Sequence, residues 1–311
     1  MIKTQDQFSI KDKIIAIIGA TGTLGSQYVK YLSKNGAKVV IGDIDFDNCK
    51  ELHSDVKENG GTSLPLFVDN TDEKSIIKFF KDIHGKFGKI DVLINNAQIK
   101  PKGFYSPFEN YSKKTLLEVI DGNLIGVTIA CREACIFFRK QGSGVIVNIS
   151  SVYGITAADQ RLYEDVENIY STSNEKFSSP VSYAISKAGI VQLTRYLSSY
   201  YREKNIRVNC LTPGGVYNGC ISVSLKLNPL VWGDNELCVV LVSVSILIVF
   251  DISDELGAAD GVGVADDVGV ADGAGVVDDT GVADGAGAAD DTGVADILLS
   301  FFSFDTTDVI V

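Results

Sequence analysis

Beyond Lys226 the chain has no lysine and no arginine, although 17 acids follow. The formal net charge of -12 therefore averages two unlike regions. Residues 1–226 hold all 28 bases and 23 acids, a net +5, whereas residues 227–311 carry -17. Such a split is a reason to read the two regions separately. With only two histidines, His53 and His84, a histidine-rich metal site is excluded, and no metal centre is expected. The six cysteines, at 49, 131, 135, 210, 220 and 238, show no CxxC spacing, which suits reduced thiols in a cytoplasmic protein. The opening residues, MIKTQDQFSIKDK, lack the apolar stretch of a secretory signal. The apolar run at 237–250 is 14 residues long, short of the ~20 that a membrane helix needs. Its β-branched, alternating composition points to a buried strand instead. No basic stripe marks a nucleic-acid face. Neither a membrane nor a nucleic acid is an expected partner.

What is present is an alternation. Short β-branched runs at 14–18, 38–41, 64–68, 92–94, 145–149 and 206–209 are separated by helical patterns such as 25–35, 73–87, 111–140 and 183–203. Strand and helix repeated in this way predict a single α/β domain, a doubly wound parallel sheet with helices on both faces.

The first run leads into Gly19-Ala20-Thr21-Gly22-Thr23-Leu24-Gly25 and then a helix. Gly19 permits the tight turn, while Gly22 and Gly25 are expected to let the backbone approach a pyrophosphate at the helix N-terminus. Asp43, 18 residues after Gly25, follows the second run. A carboxylate there accepts hydrogen bonds from an adenosine ribose and repels a 2′-phosphate, so NAD is expected over NADP. Asp69, after the third run, is read either as an adenine contact or as a cap for the helix that follows. Asn95-Asn96-Ala97-Gln98 follows the fourth, where side-chain amides can tie strands together and frame the nicotinamide ribose.

Tyr183-Ala184-Ile185-Ser186-Lys187 opens a helix, so Tyr183 and Lys187 share a face. A free phenol titrates near pH ~10, and an adjacent ammonium is expected to lower that value and make Tyr183 a usable acid or base. Ser150-Ser151 ends the fifth strand, where a hydroxyl can stabilise charge on a substrate oxygen. Asn123 sits inside the 111–140 helix, a poor place for its propensity, and is expected to hold a water linking Lys187 to solvent.

Taken in order, GATGTLG, NNAQ, Asn123, NISS, YAISK and RVNCLTPGG resemble the short-chain dehydrogenase/reductase family over about residues 8–218. The resemblance implies a Rossmann fold, a hydride transfer between nicotinamide and an alcohol or carbonyl, and a catalytic set of Asn123, Ser151, Tyr183 and Lys187. It also implies that Pro213 and Gly214 flank the nicotinamide, that Val216 contacts its carboxamide, and that Thr21, Leu24 and Ala97 lie along the cofactor. Homo-oligomers are an expectation of the same kind. Some features depart from the family pattern. Gln98 stands where the family has glycine, and Asn218 stands where a threonine is frequent. Ser151 and Tyr183 are 32 residues apart, a wider spacing than the family's usual one. The intervening polar, aromatic segment resembles insertions in flagellin- and surface-sugar-modification oxidoreductases, which implies a sugar or nucleotide-sugar substrate.

The resemblance stops near residue 218. Residues 219–255 contain the apolar run, and 256–296 repeat a twelve-residue unit of Gly, Ala, Val and Asp. The period of twelve lacks the nine-residue spacing of a calcium β-roll, and the composition favours a disordered tail. Residues 297–311 are again apolar. The competing reading is a cofactor-binding remnant with an aberrant, frameshifted C-terminus, motivated by the absence of bases after Lys226.

Overall fold

The computed structural model describes residues 9–164, 168, 176–214, 239–242 and 247–250. Val216, Asn218 and the repeat lie outside them.

Strand β1 (Ile14–Ile18) shows how the sequence builds the layers. All five side chains are buried, but alternately: Ile15 and Ile17 join one core, and Ile14, Ala16 and Ile18 join the other. A strand buried on both faces reads as a continuous apolar run, as here. Helix α1 (Thr23–Lys34) packs Tyr28, Val29 and Leu32 on the first core. Strand β2 (Lys38–Asp43) then pairs parallel to β1, and helix α2 (Phe46–Glu58) returns on the same side. α2 is a further helix: it inserts only Cys49, Leu52 and Val56, and Asp45 caps it by accepting from Asn48 N–H at 3.1 Å. Strand β3 (Thr62–Phe67) is a sheet edge, which explains why Pro65 is tolerated within it.

Helix α3 (Glu73–Phe87) places Phe79, Phe80 and Ile83 on the second core. Strand β4 (Val92–Asn95) then pairs with β1 on the side away from β2. The expected long helix at 111–140 is broken. It consists of α4 (Lys113–Ile120), a π-turn at Asp121–Ile125 and α5 (Gly126–Gln141). The disruption centres on Asn123, whose Oδ1 accepts the Ile99 N–H at 2.7 Å. Strand β5 (Gly144–Ile149), helix α6 (Val181–Tyr200) and strand β6 (Ile206–Pro213) complete six parallel strands. A buried chain of polar groups ties these layers: Asn95 Nδ2 donates to Asn148 Oδ1 at 2.8 Å, and Asn148 Nδ2 donates to Thr194 Oγ1 at 3.0 Å.

The apolar run at 237–250 forms two strands instead of one. β7 (Val239–Val242) pairs antiparallel with β6, and β8 (Leu247–Phe250) pairs antiparallel with β7. The β6 edge, which the sequence alone leaves unpaired, is therefore covered. The strand order is β3-β2-β1-β4-β5-β6-β7-β8. It reverses between β1 and β4, and in such sheets the crevice beyond the strand C-termini at that switch point is the ligand site. Among the described residues no helix is long and apolar enough to cross a membrane.

Candidate active site

A crevice of about 540 Å³ opens at this switch point. On the β1 side its wall includes Gly19, Thr21, Gly22 and Leu24. Asp43 and Asp69 come from the ends of β2 and β3, and Asn96 and Ala97 follow β4. Tyr183, Lys187, Pro213 and Gly214 close the other end. Most of the predicted cofactor residues thus converge on one site.

The three glycines do different work. Gly19 has φ +83°, and a Cβ there would lie 2.5 Å from the Ala97 backbone. At Gly25 a Cβ would meet the Gly19 carbonyl oxygen at 2.2 Å. Gly25 is buried and does not line the crevice, so it serves close helix–strand packing, not the ligand approach expected for it. Gly22 is the open one: the nearest atom to its Cβ is 3.8 Å away. Gly22 also starts α1 with no side-chain cap, which leaves first-turn N–H groups for an anion. This open cradle, with a fixed carboxylate beside it, fits a dinucleotide. Gly22→Ala should keep or slightly raise Tm, since its φ of -68° suits alanine, while weakening dinucleotide affinity by about tenfold or more. Gly25→Ala should cost about 1–3 kcal/mol of stability by overpacking. Thermal melts and fluorescence titration of both variants check the contrast.

Asp43 is held in place. Its Oδ2 accepts from Thr21 N–H at 3.0 Å and its Oδ1 from Asp45 N–H at 3.2 Å. Asp69 Oδ1 accepts from both Thr71 N–H and Thr71 Oγ1, so it organises the turn before α3, while Asp72 caps that helix. Asn95 departs from expectation. As the last residue of β4 it turns inward to Asn148 and the Cys131 Sγ, 3.3 Å away, and lies off the crevice. The neighbouring Asn96 faces the crevice and donates to the Gly19 carbonyl at 2.7 Å.

The end of β5 is locked against α6 by two bonds. Ser150 Oγ donates to the Lys187 carbonyl and Lys187 Nζ donates to the Ile149 carbonyl, both at 2.7 Å. Gly154 allows this closeness, because a Cβ there would lie 2.7 Å from the Lys187 backbone. Ser150 is thus used by the fold, whereas Ser151 hydrogen-bonds the Tyr183 phenol. Tyr183 and Lys187 share a face, yet the ammonium lies 5.6 Å from the ring centroid. The phenol pKa is raised, not lowered as expected: burial pushes it up, opposed by the Ser151 hydrogen bond. Burial also pulls Lys187 down to about 8. Asn123 is buried and bound to Ile99 on both ends of its amide, with Nδ2 to the Ile99 carbonyl at 3.4 Å.

Several residues beside Tyr183 escaped the sequence reading. Phe104 meets the Tyr183 ring edge-on, with centroids 6.4 Å apart. Tyr105 and Tyr163 each pack on Phe177, at 4.7 and 5.4 Å. The Tyr153 and Tyr163 hydroxyls are 2.8 Å apart. Burial, and then the bond to Tyr153, push the Tyr163 phenol up. For Tyr153, Tyr163 and Phe177 the aromatic content of the segment between Ser151 and Tyr183 was the available signal; Phe104 and Tyr105 lie outside that segment.

Comparison with known proteins agrees with this geometry. Residues 13–164 and 165–222 match the short chain dehydrogenase family. An uncharacterized oxidoreductase of Thermotoga maritima is 30% identical over 222 residues, covering 71% of this chain and 78% of that one. The post-translational flagellin modification protein A of Campylobacter coli is 28% identical over 219 residues, covering 70% and 82%. The crystal structure of levodione reductase superposes with a TM-score of 0.58 at 27% identity, covering 67% of this chain and 73% of that one. A switch-point crevice with this loop, and a match that spans the whole six-stranded body, lead to one assignment: the chain belongs to the short chain dehydrogenase family of NAD(P)-dependent oxidoreductases.

Proposed function

We propose that the chain is an NAD-dependent dehydrogenase or reductase acting on a secondary alcohol or carbonyl of a polyhydroxylated ring, a sugar or nucleotide-sugar derivative. The observation that carries the reading is the meeting of Tyr183 and Lys187 at one end of a crevice whose other end holds Asp43, with Ser151 beside the Tyr183 phenol. Bound nicotinamide supplies the hydride donor or acceptor. Gly22, the α1 N-terminus, Asp43, Pro213 and Gly214 would hold the dinucleotide. Tyr183 Oη gives the proton to the substrate oxygen in reduction and takes it in oxidation. Ser151 Oγ orients the same oxygen and stabilises charge on it. Lys187 supplies positive charge beneath the phenol, and Asn123 holds a water that links Lys187 to solvent. The sugar-class substrate is supported by the aromatic cluster near Tyr183: apolar ring faces beside paired hydroxyls suit a ring with C–H faces and several OH groups. The likeness to the flagellin modification protein supports the same class. The substrate is a small molecule, in keeping with the family.

Kinetics with NADH and NADPH on a panel of cyclic ketones, keto-sugars and nucleotide-sugars test the reading. The wild type should prefer NADH. Asp43→Ser should raise kcat/KM for NADPH by about tenfold, because it removes a fixed negative charge from beside the 2′-phosphate. A wild type that prefers NADPH would overturn the cofactor assignment. NADH binding without turnover across the panel would favour the remnant reading.

A further inference from the structure

The π-turn at Asp121–Ile125 has a cause that lies outside its own helix. In an α-helix the Gly126 N–H would donate to the carbonyl of Gly122, four residues back. Here it donates to Asp121, five residues back. The Gly122 carbonyl accepts instead from Asn70 Nδ2, at 2.5 Å. Asn70 follows Asp69 at the end of β3, 52 residues away in sequence, and is only 7% exposed. Its Oδ1 has no hydrogen-bond partner among the described residues. The donor end of this amide therefore sets its orientation, and a buried orphan acceptor calls for a functional reason.

The surroundings are shaped to this contact. A Cβ on Gly126 would lie 1.9 Å from the Asn70 carbonyl oxygen and 2.7 Å from its Nδ2. A Cβ on Gly122 would strike the Ile99 side chain at 2.7 Å. Gly122 is thus pinned between Asn70 and Ile99, and the next residue is Asn123, whose amide binds the Ile99 backbone on both sides. If the Gly122 carbonyl were released, it could recapture the Gly126 N–H and turn the segment into ordinary α-helix. That change of register would rotate Asn123 away from Ile99. π-turns inside α-helices are frequently found at functional sites.

We propose that Asn70 is a positioning residue: its amide clamps the Gly122 carbonyl, maintains the π-turn and so sets the orientation of Asn123. This rests on the reading of Asn123 as part of the proton path. The clamp also joins the nucleotide side of the crevice, where Asn70 lines the wall beside Asp69, to the catalytic side. Asn70 spends its amide donor on the Gly122 carbonyl, so its loss should cost turnover more than cofactor affinity.

The test uses the full chain with Asn70→Ala and Asn70→Asp, which keeps the shape but loses the donor. Both should lower kcat by about 10–10²-fold, with KM within about twofold, since a small misplacement of one group has that effect. NADH affinity by fluorescence should fall by less than kcat does. Amide exchange should accelerate at residues 121–126 ahead of the flanking α4 and α5. The Asn70→Ala, Asn123→Ala double variant should be no slower than Asn123→Ala alone, because the two act through one element. Wild-type kcat in both variants, multiplicative losses in the double variant, or unchanged exchange at 121–126 would each overturn the proposal. If Asn123→Ala itself keeps full turnover, the reading of Asn123 fails, and exchange at 121–126 alone judges the clamp. Should Asn70→Ala fail to bind NADH through misfolding, Asn70→Asp decides by the same readouts.

Discussion

Tyr183→Phe should reduce turnover by about 10²–10⁴-fold while NADH affinity stays within about twofold. The phenylalanine fills the same space and keeps the edge-on contact with Phe104, so the fold has no reason to respond. Only the hydroxyl is lost, together with its hydrogen bond to Ser151. A mere structural Tyr–Lys pair on a helix would show the reverse: little change in rate. The pH dependence follows from the direction of the shift. Burial raises the Tyr183 pKa in the protein, so the protonated phenol dominates through neutral pH. Reduction, which needs a proton donor, should therefore be sustained across neutrality. Oxidation, which needs the phenolate, should climb as pH rises into the alkaline range. Steady-state rates in both directions from pH 6 to 10 check the signs. A Tyr183→Phe protein as active as wild type would sink the mechanism.

The parts of this site that were legible in sequence are those that local chemistry dictates. The run Ile14–Ile18 is apolar at every position because both faces of β1 are covered, and its boundaries match residue for residue. The helix at Glu73–Phe87 was equally plain, since Asp72 caps it and Gly88 ends it with φ +73°. The α2 helix was not singled out, because Cys49, Leu52 and Val56 are its only buried residues. Glycine roles were half legible. The trio is visible in sequence, but which glycine packs and which stays open depends on where the Gly19 carbonyl points. Which amide of the Asn95-Asn96 pair ties strands and which faces the crevice was open for a similar reason: adjacent residues at a strand end face opposite ways. The π-turn could not be read locally, because its determinants, Ile99 and Asn70, come from other elements. The paired strands β7 and β8 supply an antiparallel edge to a parallel sheet, and nothing in their composition specifies direction.

Lys187→Met should abolish most activity and leave the protein as stable as wild type, or more so, at pH 7. The i to i+4 spacing predicts a charge beside the phenol, but spacing says nothing about burial. Lys187 is 4% exposed, and its visible partner is the Ile149 carbonyl, so the ammonium is held largely without countercharge. Its pKa falls from 10.5 in the unfolded chain to about 8. A fall of that size corresponds to about 3 kcal/mol of destabilisation whenever the lysine is charged. The sign follows from proton counting. Between pH 8 and 10.5 the unfolded chain binds the proton more fully than the native one, so this contribution to stability rises with pH there. Below pH 8 both states are protonated and the full penalty applies. Methionine removes the penalty but forfeits the bond to Ile149, worth about 1–3 kcal/mol for a charged donor. The two nearly offset, with a margin toward the variant at pH 7 that shrinks as pH approaches 10. Denaturant unfolding at pH 7 and pH 9.5, beside initial rates, measures both halves of the argument. Strong destabilisation at pH 7 would show that Lys187 is a structural tie to β5. Loss of rate at undiminished stability would show that the fold bears a buried charge for the sake of Tyr183.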